Sequence, residues 1–218
     1  MELQIAIDGL DVQEADELVG KIHEYVDIVE VGTPMIIRFG LEPVRLLSEK
    51  YPDVKVLADT KIMDGGYWEA KFAFEAGAQI ATVCSVAPKE TIEGAIKAAN
   101  EYGKETLVDL INTKEDEFED KVRYLDDAGA HYICVHISAD ARSEGSQKNT
   151  QAIDEVLKLA KLVNKAKVAV AGGINFDTIE GIKSANPDDI IVGGGITMAK
   201  DPVDACKKMY ETIHSEEQ

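Results

Sequence analysis

The sequence predicts an α/β protein, a single-domain (β/α)8 TIM barrel over residues 1–218 with a loose tail at about 214–218. Short apolar, β-branched runs alternate with longer amphipathic segments from one end of the chain to the other, the sequence form of repeated βα units on a parallel sheet. Eight such units fit in 218 residues, inside the roughly 200 to 250 residues that one barrel of this kind occupies. No Pro-, Gly- or Ser-rich stretch divides the chain. An open doubly wound sheet is the main rival, and a nucleotide-binding version would carry Gly-x-Gly-x-x-Gly after its first strand. Asp8-Gly9-Leu10 stands there instead.

The apolar runs are residues 3–7, 28–31, 54–58, 80–83, 106–110, 132–135, 168–171 and 190–192. Between them, apolar residues recur three and four apart, as one buried helix face requires. Examples are Ala15, Leu18, Val19 and Ile22 after the first run, and Ile153, Val156, Leu157 and Ala160 after the sixth. Asp11, then Asn149 or Thr150, then Asn175 suit the N-caps of the first, sixth and seventh helices, because short polar side chains satisfy free backbone N–H groups. Each strand is therefore expected to be followed by its own outer helix.

The formal charge of -18, from 23 basic and 41 acidic side chains, makes the mean surface field repel polyanions, which excludes nucleic acid and anionic membrane surfaces as partners. A phosphorylated substrate then needs a local cradle. No run approaches the roughly 18 consecutive apolar residues of a membrane span, and Met1-Glu2-Leu3-Gln4 lacks a basic signal region, so a cytoplasmic protein is expected. Cys84, Cys134 and Cys206 stand in apolar surroundings and read as buried thiols of a reducing compartment, not as a disulfide framework or zinc site.

A fold alone says little about function, but such a barrel keeps its chemistry at the C-terminal ends of its strands. The residues there are Asp8, Glu30, Asp59 with Lys61, Cys84 with Ser85, Asp109 with Asn112, His136, Gly172-Gly173 and Gly193-Gly194-Gly195. Carboxylates converging on one mouth repel one another unless a cation or shared proton offsets them. Lys61 is one such partner. A divalent metal is a second, Mg2+ or alternatively Mn2+, since hard cations take carboxylate oxygens and keep waters for a substrate to displace. Glu30 and Asp59 are the ligand candidates. Glu30 lies inside Ile28-Val29-Glu30-Val31, where an ionised group is costly unless paired or liganded. Asp8 alone reads equally well as a helix cap.

Asp59 and Lys61 are two apart, so persistent strand geometry would point both side chains into the mouth, within ionic reach. Asp64 follows in a segment that Gly65-Gly66 leaves free to turn, facing either the site or a neighbouring chain. His136 ends its strand in a position that suits a general base, histidine having an ordinary pKa of about 6.5; a structural histidine is the other reading. Asp109 is placed to orient or charge-tune it from the adjacent strand. The glycine turns at 172–173 and 193–195 allow backbone N–H groups to approach a phosphate, and together they occupy the usual barrel phosphate position. Gly172, Gly173, Gly193 and Gly194 are the candidates, and backbone donors need no basic patch.

These residues in this order resemble the orotidine 5'-monophosphate decarboxylase suprafamily, through Asp59-x-Lys61-x-x-Asp64 at the third strand and the glycine-rich phosphate end. Within it, Glu2-Leu3-Gln4-Ile5-Ala6-Ile7-Asp8, Val29-Glu30-Val31-Gly32-Thr33-Pro34, Ile133-Cys134-Val135-His136 and Ala169-Val170-Ala171-Gly172-Gly173-Ile174 are similar to the 3-hexulose-6-phosphate synthase branch. That resemblance implies a Mg2+-dependent aldol reaction joining D-ribulose 5-phosphate to formaldehyde, in a homodimer whose sites draw on both chains. It implies His136 as the base at C1, Mg2+ on Glu30 and Asp59 stabilising the enediolate, and Lys61 as electrostatic support and proton relay. Asp8 would bind substrate hydroxyls, and Asp64 would reach the partner's site. The alternative is the sister activity, 3-keto-L-gulonate 6-phosphate decarboxylase, which reaches the same enediolate by losing CO2. That branch favours one arginine in the last glycine run and another after the strand-six histidine, where this chain has Gly194 and Ala139; Arg142 is a candidate from a shifted loop. A sugar-phosphate-binding protein without catalysis, the reading from another class, would keep both glycine turns but lose Asp59, Lys61 and His136, all of which are present.

Overall fold

The computed structural model describes residues 1–137 and 147–215, with side chains for all of these but 147–152. Each predicted apolar run forms a strand, and the strands close into a parallel barrel in the order β1 to β8, β8 returning to β1. In chain order the elements are β1 (Glu2–Ile7), α1 (Val12–Ile22), β2 (Ile28–Val31), α2 (Thr33–Phe39), α3 (Glu42–Lys50), β3 (Lys55–Ile62), α4 (Gly66–Glu75), β4 (Ile80–Cys84) and α5 (Lys89–Tyr102). They continue as β5 (Glu105–Asp109), α6 (Phe118–Ala128), β6 (Tyr132–His136), α7 (Gln147–Leu162), β7 (Lys167–Ala171), α8 (Ile179–Ser184), β8 (Asp189–Val192), α9 (Gly194–Thr197) and α10 (Pro202–His214). The one-helix-per-strand expectation needs correction: α2 and α3 both follow β2, and the short α9 precedes α10 after β8. Gly40, at φ +63°, separates α2 from α3, a backbone state that favours glycine.

Local chemistry accounts for some helix starts and not for others. Asp11 caps α1 as expected, its carboxylate accepting from the Glu14 N–H while Glu14 accepts from the Asp11 N–H, a complete capping box. α7 already begins at Gln147, so Asn149 and Thr150 stand within its first turn and not at its N-cap. Asn175 does not cap α8 either; its side chain accepts from the Asp177 N–H in a tight turn that ends before the helix begins. Among the residues of α7 whose side chains are described, Val156 and Leu159 are buried, while Leu157 is 40% exposed and Ala160 is exposed as well. The inward stripe therefore passes one residue to the side of the expected one, since 156 and 159 stack on one face and 157 lies about 100° from 156. His214, placed in the tail by the sequence, is the last residue of α10, with Nδ1 on the Tyr210 carbonyl.

Two apolar layers result. The larger lies between barrel and helices and includes Leu3, Ile5, Ile7, Val29, Val31, Val108, Ile133 and Val170. The smaller fills the barrel interior with Ala6, Ile28, Leu57, Ile80, Leu107, Cys134, Ala169 and Ile191. Below it, the N-terminal mouth is closed by a polar floor in which Tyr132 donates to Glu2 at 2.8 Å, Lys55 pairs with Glu2 at 3.0 Å and Lys167 donates to the Tyr132 hydroxyl at 2.8 Å. Asp189, on the inward face of β8, is fully buried there with no hydrogen-bond partner on either oxygen. Among the described residues no helix is long and apolar enough to cross a membrane. All three cysteines are free and buried, and burial raises each thiol pKa, to about 11 for Cys84 and about 12 for Cys206.

Candidate active site

The C-terminal strand ends enclose a cavity of about 830 Å³. Asp8, Glu30, Asp59, Lys61, Asp109, His136, Gly172, Gly173, Gly193 and Gly194 all lie in its wall, brought together from seven strands. Asp64 does not: it is exposed beyond the end of β3, where its carboxylate accepts from the Gly65 N–H at 2.7 Å. Cys84, Ser85 and Asn112, also at strand ends, stay out of the wall. Ala139 and Arg142 lie outside the described residues.

Asp59 and Lys61 form the expected ion pair at 2.8 Å, yet not by regular strand alternation. The β3–β4 register shifts between Ala58 and Ile62, and Lys61 adopts φ +44°. A non-glycine residue there is strained, and Thr82 on β4 holds it: the Lys61 N–H donates to its hydroxyl at 2.9 Å, and that hydroxyl donates to Asp59 at 2.8 Å. Thr33, the first residue of α2, donates to the other Asp59 oxygen at 2.7 Å. Burial opposes a charge on Lys61, but Asp59 and Asp109 outweigh it and hold its pKa above the ordinary lysine range. Lys61 is thus a fixed ammonium at neutral pH.

From Lys61 the polar chain continues. Its Nζ lies 3.4 Å from Asp109, whose same oxygen is 2.8 Å from His136 Nδ1. Burial works to raise the Asp109 pKa, but His136, Lys61 and the Ile111 N–H together hold it below the usual carboxylate range. An ionised Asp109 accepts and cannot donate, so Nδ1 carries a hydrogen and Nε2 is the ring nitrogen left to exchange a proton with a substrate.

Glu30 is 8% exposed and faces Asp59 and Asp8. Burial first, then the Asp59 charge, pushes its pKa well above the ordinary value. A divalent cation would remove that penalty. Among the described residues no group of three or more His, Cys, Asp or Glu side chains forms a closed metal cage, so the donor set is an open pair of carboxylates. That set fits Mg2+, which keeps several waters and takes substrate oxygens, and not a four-ligand structural zinc.

At the opposite side of the mouth the two glycine turns touch. Gly172 has φ +107°, and a side chain there would collide with the Ile137 carbonyl. A Cβ on Gly195 would lie 2.5 Å from the Ile174 carbonyl. The ends of β7 and β8 therefore approach closely as bare backbone, and the glycines of both turns lie in the cavity wall. The wall also includes Gln4, Thr33, Thr82, Asn175 and Met198, which sequence reasoning missed. Gln4 and Thr82 left a signal, each being a polar residue within an otherwise apolar run, 3–7 and 80–83. Thr33 left none.

A family model described as orotidine 5'-phosphate decarboxylase / HUMPS family matches residues 1–209. The chain belongs to that family. Among its curated relatives, the 3-hexulose-6-phosphate synthase of Bacillus subtilis (strain 168) is 44% identical over 213 residues, covering 98% of this chain and 99% of the relative. Of solved structures, 3-hexulose-6-phosphate synthase from Salmonella typhimurium superposes with a TM-score of 0.89 at 40% identity, covering 98% of both chains. KGPDC from Streptococcus mutans superposes with a TM-score of 0.87 at 28% identity, covering 98% of this chain and 99% of that one. The barrel of this family is thus the barrel described above.

Proposed function

We propose that the protein joins formaldehyde to D-ribulose 5-phosphate, giving 3-hexulose 6-phosphate. Similarity to the 3-hexulose-6-phosphate synthases supports the reaction, and the His136–Asp109 hydrogen bond carries the mechanism, since it leaves Nε2 as the base. His136 takes the C1 proton of the ketose phosphate, C1 forms the new bond to the formaldehyde carbon, and the former aldehyde oxygen takes up the proton that His136 gives back. Lys61, held as an ammonium, stabilises the negative charge that develops beside it. Glu30 and Asp59 are the residues that would hold Mg2+ or Mn2+, which when bound offsets negative charge on the substrate oxygens. Asp8 binds substrate hydroxyls, and the backbone of Gly172, Gly173, Gly193 and Gly194 takes the phosphate. No lysine or arginine besides Lys61 lines the cavity among the described residues, so the phosphate donors there are neutral groups, the glycine backbone foremost.

We further propose a homodimer in which Asp64 serves the partner's site. Supporting it, Met63, which precedes Asp64, and Trp68 and Phe72, which follow it on α4, are 48%, 59% and 51% exposed, apolar surface suited to a second chain. Buried, inert thiols fit the reducing cytoplasm, where we place the protein.

The test is direct. Purified protein with ribulose 5-phosphate, formaldehyde and Mg2+ is expected to form hexulose phosphate, and with 3-keto-L-gulonate 6-phosphate to release little CO2. Rapid CO2 release without aldol product would reverse the assignment in favour of the decarboxylase.

A further inference from the structure

We propose that Gln4 is a positioning residue for Glu30, fixing from inside the barrel the carboxylate assigned above to a divalent cation; the inference rests on that assignment. Gln4 lies on β1 one layer beneath the mouth, in register with Ile28, and is 1% exposed. The interior layer it enters is built by Ala6, Ile28, Leu57 and Ile191, so a leucine or methionine would suit the packing without a polar cost. An amide stands there instead. Its Nε2 donates to Glu30 Oε2 at 2.5 Å, while its Oε1 is buried with no hydrogen-bond partner. An orphaned buried acceptor destabilises a fold, and the bond to Glu30 is the interaction that offsets it.

The two carboxylates are secured very differently. Thr33, Thr82 and Lys61 hold Asp59 from three elements. Among the described residues, Gln4 alone donates a hydrogen bond to Glu30. Glutamate also has one more side-chain torsion than aspartate, so an untethered Glu30 loses more orientation. Outer residues that orient a ligand in this way commonly govern metal affinity as strongly as they govern rate. Gln4 thus turns a flexible side chain into one half of a preformed pair.

Gln4→Met, close in volume but without a donor, tests this. The variant is expected to unfold at a temperature close to the parent's, because loss of the orphaned carbonyl is offset by loss of the donor to the buried Glu30 carboxylate. Mn2+ titrated into substrate-free protein and followed by electron paramagnetic resonance should bind about 10- to 100-fold more weakly, and raising Mg2+ in the assay should recover part of the lost activity. Glu30→Gln is the control. Weakened Mn2+ binding in Glu30→Gln with parental binding in Gln4→Met overturns the role of Gln4 and leaves the metal site standing. Parental binding in both overturns the metal assignment and this inference with it. Should Gln4→Met fail to fold, Gln4→Leu carries the same expectations.

Discussion

His136 can act only through the ring nitrogen that Asp109 leaves basic, and this makes the pair one unit. Replacing His136 by alanine should abolish exchange of the C1 proton with solvent while ribulose 5-phosphate still binds, as measured by NMR and by calorimetry. Asp109→Asn should lower kcat by roughly 10²-fold or more, the lower range of general acid-base contributions, without a comparable change in binding; equal rates would return Asp109 to a purely structural part. Thr82 is the second pivotal residue, because one hydroxyl holds both the Asp59 carboxylate and the Lys61 backbone. Thr82→Val keeps the shape and removes those bonds, leaving the Lys61 N–H without its acceptor. A loss of about 1–3 kcal/mol in stability is expected for the unsatisfied group, read by urea unfolding, together with lower kcat. Parental kcat in a folded Thr82→Val would separate the strut from catalysis.

Among the elements, β3 departs most from its expected form. It runs to Ile62, past the Ala58 end of its apolar run, and irregular pairing with β4 swings Lys61 toward Asp59 and Asp109. The bulge re-aims a side chain at the rim of the barrel, a common use of such irregularities beside active sites. α1 shows the opposite case, a helix start written locally. Asp11→Ala removes the capping box and should cost about 1 kcal/mol of stability with no change in kcat, measured by urea unfolding and assay. A stability unchanged by Asp11→Ala would mean that packing of Ala15, Leu18, Val19 and Ile22 alone holds that end.

The assembled barrel has an acidic liability at its floor. Burial, then the charges of Glu2 and Asp27, raise the Asp189 pKa well above its ordinary value. The folded state therefore binds this proton more tightly than the unfolded chain does. Its contribution to stability is complete below the unfolded pKa of about 3.9 and is lost as pH rises toward the folded value. Asp189→Asn should consequently be more stable than the parent at pH 7, with the advantage vanishing toward pH 4 in thermal melts; a constant difference across that range would argue against the linkage. A shared dimer site makes a separate prediction. Inactive Asp64→Ala and His136→Ala proteins, unfolded and refolded together, should regain activity, because a mixed pair holds one site with both residues intact. No recovery in demonstrably mixed dimers would confine Asp64 to its own chain.

The barrel was legible in the sequence because strand and helix periods are local properties, and closure of eight βα units follows from their number. Glu30, Asp59, Asp109 and His136 were legible for a related reason: charged or basic groups that end apolar strands are expensive without a task. Gln4, Thr33 and Thr82 were not assigned, since a neutral polar side chain costs less and declares no partner until register sets its neighbour. The α7 face, the bulge that turns Lys61 and the exclusion of Asp64 from its own cavity likewise depend on contacts between distant segments. Composition and periodicity specify which groups reach the mouth of the barrel. Register and packing across its strands specify which of them touch.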